Sequence, residues 1–145
     1  MDKSGFEEIL ARDGRLVYSS RGDSMLPLIR EGRDLLVIEP VHGRLRRLDV
    51  PLYRRAGGRW VLHRVLRVQA EDYVLCGDNR WRCETGVTDR QIAGVLTAVI
   101  RGGREIPMTD WRCRLYAHLW CDLFPLRALL VRGIGWIKRT RRKHG

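Results

Sequence analysis

A chain of 145 residues, 44% apolar and 31% charged, is long enough for one folded domain with a modest core and too apolar to remain disordered. Its formal net charge of +11 is unevenly spread: residues 113–145 hold eight Lys and Arg against one acid, whereas residues 1–112 hold 20 against 16. No run of about 18 uninterrupted apolar residues is present, which excludes a simple membrane-spanning helix. The four cysteines (Cys76, Cys83, Cys113, Cys121) lack C-x-x-C spacing. That argues against a zinc knuckle or a thioredoxin-like site and for free thiols in a reducing compartment, with a Cys76–Cys83 disulfide as the alternative.

The polar start, Met1-Asp2-Lys3-Ser4, reads as free of a targeting sequence. Ser4 and Glu7 have capping-box spacing, and Phe6, Ile9 and Leu10 form a short apolar stripe, so a helix is expected over 5–12, ended near Gly14. Leu16-Val17-Tyr18 reads as a strand leading into a turn-rich hexapeptide, and Leu35-Leu36-Val37-Ile38 as a buried strand. Residues 50–55 and 60–68 read as two strands around Ala56-Gly57-Gly58, a hairpin signal. Further strands are expected over 72–76 and 92–101, the last turned back by Gly102-Gly103. Short strands at this spacing predict a small, mainly β, barrel- or sandwich-like domain over residues 1–106. Residues 107–145 read as a basic amphipathic extension. Thr109 or Asp110 caps a helix to about Phe124, and Pro125 opens a second one reaching Ile137.

The chemistry centres on three blocks. In Gly22-Asp23-Ser24-Met25-Leu26-Pro27, Gly22 permits a sharp turn and Pro27 sets the direction that follows, so the Ser24 hydroxyl can stand exposed at a strand end. The amides of Asp23 and Ser24 are candidate oxyanion donors, and Met25 reads as a core residue or pocket wall. A serine hydroxyl needs a base within hydrogen-bond reach, and His63, in Leu62-His63-Arg64-Val65, is the candidate. Gly77-Asp78-Asn79-Arg80 reads locally as a tight turn.

Together, and in this order between roughly Leu16 and Arg104, these blocks resemble the signal peptidase I family, in its branch with a serine–histidine rather than a serine–lysine pair. No lysine lies between Lys3 and Lys138, so a serine–lysine pair within the β domain is excluded. The resemblance implies a β-rich protease fold and a catalytic pair of Ser24 and His63, working through an acyl-enzyme without cofactor or metal. It also implies an extended peptide or protein substrate paired with an edge strand and small residues near the cut. An acidic residue should orient the histidine: Asp78 matches the Gly-Asp-Asn aspartate, Glu84 stands nearest the place of a second family acid, and Asp89 is a weaker substitute. Three departures accompany the resemblance. The N-terminal membrane anchor typical of the family is not expected, Gly22 stands where a hydroxyl donor is common, and the turns at Asp34 and Asp49 lack their usual glycine.

The expected function is therefore a serine endopeptidase that trims a leader or other extended peptide. The alternatives are an inactive peptide-binding module and a DNA-bound self-cleaving regulator. For the extension, Leu119, Leu123, Leu126 and Leu130 fit either a face packed on the domain or a protein partner, or an interfacial helix pair on an anionic membrane. Nucleic acid is disfavoured because no recognisable binding module is present. The expected location is the cytoplasm, free or peripheral on the inner face of the membrane.

Overall fold

A computed structural model describes residues 5–19 and 21–143. The expected cap at Ser4 and the side chains of the basic tail beyond residue 134 lie outside the described residues.

Helix α1 (Gly5–Asp13) buries Phe6 and Leu10, one turn apart, and stops where Gly14, at φ 65°, donates its amide to the Leu10 carbonyl at 2.9 Å. Then come β1 (Leu16–Tyr18), β2 (Asp34–Glu39), β3 (Pro51–Arg54), β4 (Trp60–Leu62), β5 (Arg64–Val68), β6 (Tyr73–Cys76), β7 (Glu84–Val87), β8 (Ile92–Arg101) and β9 (Arg104–Pro107). The chain ends in α2 (Trp111–Asp122) and α3 (Phe124–Lys143).

Strands β1, β2, β8, β3 and β4 lie side by side in that order as a curled half-barrel, with β9 paired to the far end of β8. All described pairings are antiparallel. The long β8 organises the sheet because its ten residues serve β2 along one edge and both β3 and β9 along the other. Strands β1 and β4 end this row. A smaller sheet, β5-β6-β7, continues from the first.

The sequence expects one strand across residues 60–68, and the structure divides it at His63. Residues 60–62 pair with β3 in the large sheet, whereas residues 64–68 pair with β6 in the small one. His63 therefore occupies the corner between the sheets, where the chain leaves one hydrogen-bonding ladder for the other. Strands β7 and β9 are the two that sequence patterning did not anticipate. Each is four residues long, with three of four residues charged or Pro in β9 and a single apolar residue, Val87, in β7, so neither carries a strong apolar alternation.

Alternation within the strands makes two cores. One gathers Phe6, Leu10, Met25, Ile29, Leu36, Ile38, Leu52 and Leu96 under α1, and the other gathers Leu45, Tyr53, Val65, Tyr73 and Leu75 between the sheets. Each such side chain contributes roughly 2 kcal/mol of burial. Gly94 lets α1 approach the sheet, since a Cβ there would lie 2.6 Å from Ile38 Cγ2 and 3.2 Å from Leu10 Cδ1.

The C-terminal helices are inverted relative to ordinary amphipathic packing. Asp110 caps α2 by accepting from the Arg112 amide at 2.8 Å. Their inner side carries Tyr116, Ala117, Trp120, Cys121 and Arg127, buried or half-buried. Leu115, Leu119, Leu123, Leu126, Leu129, Leu130 and Ile134 are each more than half exposed. Among the described residues no helix is long and apolar enough to cross a membrane.

Candidate active site

Ser24 sits in a single helical turn. The Leu26 amide bonds the Asp23 carbonyl at 3.2 Å and the Ile29 amide bonds the Met25 carbonyl at 2.9 Å. Gly22 enters this turn at φ 94°, a conformation that glycine adopts without strain, and its amide donates to Glu31 at 2.9 Å. Met25 is buried in the larger core and fixes the turn from below. Asp34 fixes its far end. Buried beneath the sheet edge, it accepts from the Arg30 amide at 2.9 Å and takes both arms of Arg101, which also reaches the Leu28 carbonyl at 2.8 Å. The Arg101 hydrogen bonds outweigh burial and hold the Asp34 carboxyl below its ordinary range.

The Gly77–Arg80 turn clasps the serine turn from the other side. The Asn79 amide donates to the Ser24 carbonyl at 2.8 Å, and its side chain donates to the Asp23 carbonyl at 3.1 Å. Arg80 pairs with the Asp23 carboxylate at 2.6 Å. A Cβ placed on Gly77 would lie 2.6 Å from the Ser24 carbonyl oxygen and 3.1 Å from His63 Nε2. The glycine is thus required by close approach, and the same two distances put the Nε2 side of the His63 ring against the serine turn.

The other ring nitrogen faces the protein. Nδ1 of His63 lies 3.2 Å from Glu84 Oε1 and 3.2 Å from the Tyr53 hydroxyl. Glu84 is held in turn by a two-armed pair with Arg55, one arm at 2.9 Å. Donation of Nδ1–H to this carboxylate leaves the lone pair on Nε2, a tautomer assigned from the hydrogen-bond partners. His63 is buried, and desolvation lowers its pKa to about 4; Glu84 pulls it up, while Arg55 and Arg80 push it further down. The Glu84 carboxyl feels burial most, but Arg55, His63 and Tyr53 together outweigh it and leave the pKa lowered. Burial raises the Tyr53 phenol, so it stays a neutral donor at this corner.

The structure separates the two carboxylates that the sequence leaves open. Glu84 reaches His63, whereas Asp78 is engaged elsewhere. Asp78 is fully buried and receives Nε and Nη2 of the equally buried Arg64 at 2.9 and 2.8 Å, together with the Tyr116 hydroxyl at 3.0 Å. Its carbonyl accepts from the Trp120 indole at 2.8 Å. Asp89 lies on Tyr73 and Arg44, away from the His63 corner. Asp49 bonds the Arg46 amide at 2.7 Å, the turn-forming role its sequence context suggests.

Ser24, His63 and Glu84 line one cleft of about 960 Å³, together with Gly22, Asp23 and Met25. Its walls include Val17 and Tyr18 of edge strand β1 and Trp60, Val61 and Leu62 of edge strand β4. Both strands end the row of the large sheet, the position at which an extended peptide can add to a sheet. Among the described residues the Ser24 amide donates no hydrogen bond and is free to face an oxyanion, and no hydrogen bond joins Ser24 Oγ to the His63 ring.

Sequence reasoning overlooked Tyr53 and Arg55. Tyr53 and Arg55 stand two apart on β3 and its continuation, the one-face spacing that could have flagged them. Among the described residues no group of three or more His, Cys, Asp or Glu converges to hold a metal ion. The four cysteines are free; Cys76 is buried among backbone carbonyls, its thiol pushed up to about 12 by desolvation. Comparison with known proteins gave no match to a family model, to a curated protein or to a solved structure.

Proposed function

We propose that the protein is a serine endopeptidase of signal-peptidase-like type that cleaves an extended peptide or leader segment through Ser24 and His63. The observation that carries this reading is the setting of His63. One nitrogen is committed to Glu84 and Tyr53, the other is turned toward the serine turn, and both residues open on one cleft. In the reaction, Ser24 Oγ attacks the scissile carbonyl carbon while His63 Nε2 takes its proton. The Ser24 amide holds the oxyanion, and collapse passes the proton to the leaving amine. Water, deprotonated by the same nitrogen, then attacks the ester and frees Ser24. Glu84 stabilises the imidazolium formed in each half-reaction.

A peptide library assayed by mass spectrometry tests it. Wild type cuts, whereas folded Ser24→Ala and Ser24-intact His63→Ala proteins do not; equal behaviour of all three removes the catalytic claim. The low His63 pKa and the unformed Ser24–His63 hydrogen bond favour a second reading, a peptide-binding module of the same architecture without turnover. A fluorophosphonate separates the two, because only an activated Ser24 is labelled.

The extension supports peripheral attachment to an anionic membrane surface. Its leucine face is turned outward, and residues 113–145 hold eight Lys and Arg against one acid, the larger part of the excess positive charge, the combination that drives an interfacial helix into the headgroup region.

A further inference from the structure

The cleft that holds Ser24 and His63 is lined by five arginines (Arg21, Arg55, Arg59, Arg80 and Arg82) and by two carboxylates, Asp23 and Glu84. Those carboxylates are each already paired, Asp23 with Arg80 at 2.6 Å and Glu84 with both arms of Arg55. Arg21, Arg59 and Arg82 are therefore left on the cleft wall without a carboxylate partner among the described residues, and all three are exposed. They come from separate segments: the approach to the serine turn, the β3–β4 hairpin and the β6–β7 loop. Trp81 supports one of them, with the Arg82 guanidinium 4.6 Å from its ring centroid.

We infer that this cleft takes an acidic peptide, with carboxylate side chains of the substrate meeting Arg21, Arg59 and Arg82 while its backbone pairs with the edge strands. The inference rests on the peptidase reading for its site but not for its test. Guanidinium is always charged and offers a planar fork matched to a carboxylate, so three such groups around one groove select glutamate and aspartate over neutral or basic side chains. Because they stand on three segments, they favour several acidic residues along an extended chain over a single terminal carboxylate. The internal pairs matter equally: Asp23 and Glu84 would repel an acidic substrate if unpaired, and Arg80 and Arg55 neutralise them.

The test is binding to full-length Ser24→Ala protein, so that affinity is read without turnover. Fluorescently labelled extended peptides of one length carry Glu, Gln or Lys at alternate positions, and binding is followed by anisotropy at near-physiological salt. The Glu peptide is expected to bind about tenfold tighter than the Gln peptide, the sum of three modest, partly exposed ion pairs. The Lys peptide is expected to bind weakest. Arg21→Gln/Arg59→Gln/Arg82→Gln protein should lose this preference. A control triple, Arg67→Gln/Arg90→Gln/Arg104→Gln, makes the same charge change at exposed positions off the cleft and should keep it. Equal affinity for the Glu and Gln peptides overturns the inference. So does a preference that falls equally in both triples, which would assign it to the overall charge of +11. Acidic preference without cleavage by the Ser24-intact protein would sink the peptidase reading and leave the acidic groove standing.

Discussion

Glu84 Oε1 stands 3.2 Å from His63 Nδ1, while Asp78, in the turn whose Asn79 amide bonds the Ser24 carbonyl, gives both carboxylate oxygens to Arg64 and Tyr116. Two acids with the same chemistry are thereby given different work. Glu84 sets the tautomer of the ring, and Asp78 holds the turn on which Ser24 rests.

Substitution should separate these roles. Glu84→Gln offers Nδ1 an amide in place of the carboxylate and removes the charge that stabilises imidazolium, so kcat is expected to fall about 10³-fold or more with Tm nearly unchanged. Asp78→Asn strands Arg64 in the interior, where loss of one partner of a buried pair costs about 3–5 kcal/mol. Its signature is a large drop in Tm, read by thermal melts beside the kinetics of each variant.

The acid side of the pH profile follows from burial of His63. With its pKa lowered to about 4, the imidazole remains neutral and able to accept a proton well below pH 6. kcat/KM should therefore hold down to about pH 5 and fall through about pH 4. Glu84 raises the His63 pKa, so residual activity of Glu84→Gln should fall at still lower pH. A limb near pH 6.5 in the wild type would contradict the buried, neutral imidazole.

Stability should respond with a definite sign. The folded pKa lies below the unfolded value of about 6.5, so between those values the unfolded chain binds the extra proton. The contribution of His63 is fully present above about pH 6.5 and is lost as pH falls toward 4, by about 3 kcal/mol in all. Denaturant titrations of wild type and His63→Gln across this window measure it, and the difference between them should shrink as the pH is lowered.

Gly77→Ala tests the closeness of the two turns. Its Cβ would meet the Ser24 carbonyl at 2.6 Å, a backbone atom that cannot yield without moving the serine. A destabilisation of about 1–3 kcal/mol is expected, together with a fall in kcat that exceeds it. Unchanged activity would mean that the Ser24 position is not fixed by this turn.

The outward leucine face gives a lipid prediction. Protein should sediment with vesicles containing phosphatidylserine and less with neutral ones, and Leu119→Glu/Leu126→Glu/Leu130→Glu should release it without loss of Tm, since all three side chains are exposed. A large Tm loss would show instead that this face is packed.

Much of the architecture was legible in the chain. The apolar stripe of Phe6 and Leu10, the Gly57-Gly58 hairpin, the long apolar run of β8 and the Asp110 cap are local signals. Each is set by backbone conformation and side-chain period within a few residues. The serine turn was legible for the same reason, because Gly22 and Pro27 constrain the backbone on either side of Ser24. His63 could be singled out as a candidate base from its residue type and setting alone. What the tertiary structure alone decided are relationships between segments that no local pattern encodes. The passage of the chain from one sheet to the other at His63 depends on two different ladders claiming its neighbours. The choice of Glu84 over Asp78 depends on Arg64, Arg55 and Tyr53 arriving from other strands. The outward turn of the leucine face was hidden because helical period fixes only that one face is apolar. It was decided by hydrogen bonds from Tyr116, Trp120 and Arg127 on the opposite face to the Gly77–Arg80 turn, which anchor the helices by their polar and aromatic side.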